Sequence, residues 1–117
     1  MTDPKQPLQD QIKTLKDEYG AKLPERLDEL DAAFADLPDD IRAVGAHQAL
    51  ETLYALSHKL NGSAGTFGFK AISDTAERLE ARCRTLLDDA DSAPADGRAD
   101  IADLVAAVRD AARPDAG

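Results

Sequence analysis

The sequence predicts an all-α protein, an antiparallel four-helix bundle with an N-terminal helical extension. Three observations carry this reading. Apolar residues recur at steps of three and four in four separate blocks. No segment alternates apolar and polar residues with the period of two that a half-buried strand needs. Ala, Leu, Asp, Glu, Lys and Arg dominate, Val and Ile are few and Trp is absent, which favours helix over strand. With 117 residues the chain has room for a single domain, 1–117, with its core over about residues 8–112.

The first block carries Leu8, Ile12, Leu15 and Tyr19, then Leu23, Leu27, Leu30, Phe34 and Leu37. It reads as one long helix or two nearly collinear ones, with Gly20 and Pro24 marking the expected bend, because proline lacks a backbone donor and crowds the preceding turn. "LPDD" at 37–40 stops it. The second block begins between Ile41 and Ala46 and carries Leu50, Leu53, Leu56, Leu60 and Phe67. The third carries Ile72, Ala76, Leu79, Cys83 and Leu86 or Leu87. "DDADSAPADG" at 88–97 is a polar loop with Pro94 and Gly97. Ile101, Leu104, Val105 and Val108 form the fourth block.

Charge and composition exclude several functions. A net charge of −9 repels phosphate backbones and anionic lipid, so neither nucleic acid nor a membrane is the expected partner. Cys83 is alone, which fits a reducing compartment. No run of about 18 apolar residues is present, and "MTDPKQPLQDQ" lacks an apolar signal region. The expected location is cytoplasmic.

The stretch "ALSHKLNGSAGTFG" at 55–68 places a histidine in a helical block and follows it with Gly62, Gly65 and Gly68. At 100° per residue, Leu53, Leu56, Leu60 and Phe67 fall roughly 160–220° from His58, so the imidazole faces solvent. Glu51, Tyr54, Asn61, Gly62 and Gly65 share its side. A glycine inside a helix costs about 1 kcal/mol relative to alanine. Glycine one turn beyond His58 leaves the ring bare and lets another surface approach. Gly68, and in part Gly65, also suit a helix end.

The remaining features are structural. His47 precedes His58 by eleven residues, roughly 16 Å along a helix, too far to share a metal ion. No histidine-centred metal cluster is present, and the expectation is no metal site. GxxxxGK[ST] fails because Phe67 stands where the second glycine is required. Cys83 sits on an apolar stripe and belongs to the core.

"HKLNGSAGTFG" resembles the signature of histidine-containing phosphotransfer domains, the HPt modules of phosphorelays, with a pattern near His-x-Leu-Lys-Gly-Ser-Ser/Ala-x-x-Leu/Phe-Gly. His58, Leu60, Gly62, Ser63, Ala64, Phe67 and Gly68 match at the family's offsets. The likeness extends to "LPERLDELDAAF" and "AERLEARCR" and covers roughly residues 15–112. The family fold is a four-helix bundle with an exposed histidine. One position departs: the family's usual lysine three residues after the histidine is Asn61 here. That lysine helps hold the phosphoryl group, and Lys59 and Lys70 are the lysines nearby in sequence.

The resemblance implies that His58 takes a phosphoryl group from the aspartyl phosphate of a receiver domain and passes it to another. Receivers of response regulators or hybrid histidine kinases are the implied partners, and the family expectation is a monomer. Lys59, Asn61, Gly62 and Gly65 are the expected phosphate and docking support; Glu51, Tyr54 and Ala55 are expected to touch the partner. The chain is expected to hold no cofactor of its own, with Mg²⁺ on the receiver, and to lack autokinase activity. An exposed imidazole needs no buried base to be nucleophilic near neutral pH. The alternative is an adaptor that binds a receiver or kinase without carrying phosphate, favoured by Asn61.

Overall fold

The computed structural model describes residues 6–88 and 97–113, with side chains from residue 8. Four helices account for nearly all of them: α1 (Gln6–Ala35), α2 (Ala46–Thr66), α3 (Lys70–Asp88) and α4 (Gly97–Ala111). Among the described residues there is no strand. α1 is one unbroken helix, with Pro24 inside it. Most of the polar loop expected at 88–97 lies outside the described residues; Gly97, assigned to that loop, instead opens α4 and is buried. A side chain at Gly97 would collide with Ile41.

Cross-helix contacts set an antiparallel order. Tyr54, His58 and Asn61 of α2 meet Arg84, Glu80 and Ser73 of α3, in reversed sequence. Arg82 of α3 bonds Asp100 at the start of α4. Arg109, near the end of α4, pairs with Asp28 and Asp31 of α1. Arg98, at the start of α4, donates to the Leu37 carbonyl just past α1. Each helix therefore packs on two neighbours around one core.

That core holds Leu23, Leu27, Leu30, Leu50, Leu53, Leu60, Ile72, Leu79, Leu86, Ile101 and Val108. Burying each such side chain contributes about 1.5–3 kcal/mol. Cys83 is wholly buried, and burial pushes its thiol up to about 12. Phe34, Leu56, Phe67 and Leu104 are half-buried at the margin.

One core expectation fails. Leu8, Ile12 and Leu15 are 60%, 56% and 50% exposed. The core begins at Tyr19, because α2 and α3 turn back at Phe67–Phe69 and offer nothing further for α1 to pack on. Residues 6–18 overhang that turn by about 20 Å at the helical rise. Tyr19 marks the edge, stacked on Phe67 with ring centres 5.1 Å apart and tilted against Phe69.

Candidate functional site

α2 divides the motif between fold and surface. Leu60 and Ala64 are buried in the core. Ser63 spends its one proton on the Lys59 carbonyl, so the Tyr19 hydroxyl donates to Ser63, tying α1 to α2 at 2.7 Å. Gly68 takes φ +84°, where a side chain is strained, and reverses the chain into α3. There the Phe69 amide donates to the Ala64 carbonyl at 2.8 Å. His58 and Gly62 remain, both exposed on the surface of α2.

The His58 side chain is 66% exposed, as the helical projection predicts. Its Nδ1 lies 2.8 Å from Oε1 of Glu80 on α3. A carboxylate accepts only, so Nδ1 carries the proton and donates. Nε2 is then left with its lone pair, pointing away from the bond. The imidazole is held in one tautomer by a partner that is itself 11% exposed.

Glu80 is anchored in turn. Asn61 donates from Nδ2 to Oε2 at 3.4 Å, a long bond, and Arg84 stands 3.7 Å from Oε1. Ser73 lies 2.8 Å from Asn61 Oδ1 and donates to it, which turns the amide NH₂ toward Glu80. Tyr54 stacks along His58 with ring centres 6.2 Å apart and planes 13° apart. Arg84 caps Tyr54, donating to its hydroxyl at 2.6 Å with the guanidinium 5.4 Å from the ring centre. That bond, chiefly, raises the Arg84 pKa above its ordinary value.

The expected site residues separate into three groups. Tyr54, Asn61 and Gly62 join His58; a side chain at Gly62 would meet nothing within 4 Å, so the helix wall beside the ring is open. Glu51 and Ala55 are exposed on the same side, with Glu51 bonded to His47 at 2.9 Å. Lys59 and Gly65 do something else. Lys59 lines a groove of about 430 Å³ between α1 and α2, with Arg26, Leu30 and Leu56. Gly65 serves helix packing, not access: a Cβ there would lie 3.2 Å from the Ser73 hydroxyl, so its smallness lets α3 come close. Lys70 is bonded to Asp74 on α3.

Sequence reasoning missed Glu80, Arg84 and Ser73. One signal was present: Glu80 follows Ala76 by one turn and precedes Cys83, so a carboxylate stands on the apolar stripe of α3. A charge at such a position needs a partner. Among the described residues no group of three His, Cys, Asp or Glu side chains could hold a metal ion, and no helix is long and apolar enough to cross a membrane.

Searches of curated proteins and of solved structures found no match. The family model for the Hpt domain matches residues 14–111. That span includes both helices of the His58–Glu80 pair, and the chain belongs to the Hpt domain family, the histidine phosphotransfer modules of phosphorelays.

Proposed function

We propose that His58 is the residue that carries the phosphoryl group, through Nε2, and that Glu80 is the residue that positions it. The Nδ1–Glu80 bond is the observation that carries this reading. In the forward step, Nε2 attacks the phosphorus of a receiver's aspartyl phosphate. The N–P bond forms as the P–O bond to the aspartyl carboxylate breaks, and that carboxylate leaves with the electron pair. The imidazole ring gains positive charge in the product, and Glu80, already bonded to Nδ1–H, stabilises it without reorganising. The reverse step discharges the group to a second receiver by the same path.

The rest of the site suits a carrier that lends only a nucleophile and a face. Glu51, Tyr54, Ala55 and the open wall at Gly62 surround the ring and form the proposed contact with the receiver. Mg²⁺ is assigned to the receiver, and ATP-dependent self-phosphorylation to neither His58 nor its neighbours. Asn61 works inward, on Glu80. The cation that replaces the family's usual lysine is Arg84, one helix away and stacked on Tyr54. In this reading it swings from Tyr54 toward an anion on Nε2.

The test is intact mass after mixing the chain with phosphorylated receiver domains. A phosphoryl adduct on the wild type and none on His58→Gln supports the reading; an adduct on both sinks it. Glu80→Ala removes one charge-assisted hydrogen bond, about 1.5–3 kcal/mol, and transfer slows about ten- to hundredfold. Arg84→Ala shortens the adduct's lifetime while leaving the site of attachment unchanged.

A further inference from the structure

The overhanging part of α1 carries the largest exposed apolar side chains placed in register on one helix. Leu8, Ile12 and Leu15 follow one another at steps of four and three, and a further step of four reaches Tyr19 at the bundle's edge. A stripe one residue wide at that spacing is a coiled-coil seam; a helix that packs into a globular core shows a broader one. We propose that this seam is covered by the same seam of a second copy, antiparallel, in a two-fold dimer that leaves the phosphotransfer chemistry to each chain separately.

Three observations select this occupant. The first is shape. Residues 6–18 overhang the α2–α3 turn, so the molecule ends in a step whose tread is the turn at Phe67–Phe69 and whose riser is the apolar stripe. A second copy has an overhang of the same length, and an antiparallel pair fills both steps at once. Setting Ile12 against Leu15 of the second copy also brings Leu8 to the tread, where Tyr19 is already buried and the half-buried Phe67 and Phe69 receive it, which gives four apolar contacts.

The second is charge. Residues 6–19 hold two lysines against three carboxylates, so nearly all of the net charge of −9 lies elsewhere. Two copies repel through their bundles and least through their overhangs. An antiparallel seam places the bundles at opposite ends, whereas a parallel one sets them side by side. The residues flanking the seam agree: Gln9 comes to face Lys16, and Gln11 comes to face Glu18, so no like charges are opposed. The same near-neutrality argues against anionic lipid, which draws a strongly basic polar face.

The third is size. These four contacts cover at most on the order of 1,000 Å² in all, the low end for specific interfaces. The dimer is therefore weak and concentration-dependent, with the monomer that the family resemblance implies prevailing at low concentration.

Sedimentation equilibrium of the full chain from about 10 μM to 1 mM tests this. The average mass should climb from 12.5 kDa toward twice that value. Ile12→Glu combined with Leu15→Glu should hold it at the monomer mass, with helix content and melting unchanged because both side chains are exposed. A spin label at Glu25→Cys then reads orientation, since the native thiol is buried and does not compete. Antiparallel pairing sets the two labels about 35 Å apart along the seam; parallel pairing leaves them within about 20 Å. A monomer at 1 mM overturns the proposal, as does a dimer that survives the double substitution or a short label distance. Capture on anionic vesicles, lost in the double variant, would assign the stripe to a membrane and overturn it as well.

Discussion

Residues 8–15 and residues 23–30 of α1 carry apolar side chains at the same spacing, on the same helix, and meet opposite fates. Leu23, Leu27 and Leu30 are 6%, 6% and 2% exposed; Leu8, Ile12 and Leu15 are at least half exposed. The difference lies outside α1. Past Tyr19 toward the C-terminus, α2 and α4 stand alongside; before it, α2 and α3 have already turned back at Gly68. Periodicity specifies which face of a helix is apolar. What covers that face is decided by the lengths of its neighbours. The glycines of α2 teach the same thing at smaller scale: Gly62 opens onto space and Gly65 onto Ser73.

The largest contrast should come from truncating the two halves of α1. Leu30→Ala is expected to cost about 2–5 kcal/mol in urea unfolding. Ile12→Ala, measured at micromolar concentration where the chain is alone, should cost less than about 0.5 kcal/mol. Equal losses would place Ile12 in a core. The two glycines give the next contrast. Gly62→Ala should stabilise by up to about 1 kcal/mol, because alanine is the better helix former and nothing is displaced. Gly65→Ala should gain less or lose, since Ser73 must yield. A larger gain at Gly65 than at Gly62 would reverse the assignment of access and packing.

The smallest effect concerns thiols. Iodoacetamide at pH 8 should modify an Ile12→Cys variant at that new cysteine as fast as a free thiol. Cys83 should react only through unfolding, its thiol being buried and raised to about 12. The sign follows: a raised folded-state value leaves stability intact below pH 9 and erodes it as pH climbs from 9 toward 12, where the unfolded thiol ionises first. Fast native labelling of Cys83 would show that α3 does not hold it inside.

Much of this was legible in the residues. The four blocks, the outward histidine, the core position of Cys83 and the turn at Gly68 follow from spacing and from glycine's backbone freedom. The membership of Leu8, Ile12 and Leu15 in a core did not follow, because a stripe is a property of one helix and burial is a property of two. Glu80 and Ser73 were hidden for the same reason. Their meeting with His58 and Asn61 depends on the register of α3 against α2, which no local pattern encodes. Asn61 illustrates the cost: read along α2 alone it is a missing lysine, and across the helix interface it is the group that orients Glu80.

The proposed role of Glu80 is to hold the His58 ring with its proton on Nδ1, leaving Nε2 to take the phosphoryl group. Two-dimensional ¹H–¹⁵N NMR of the imidazole nitrogens, before and after phosphotransfer, reads this directly. A ring with its proton on Nδ1 and a product phosphorylated at Nε2 are expected, with the tautomer preference lost in Glu80→Ala. A phosphoryl group on Nδ1, or the same tautomer preference without Glu80, would contradict that role.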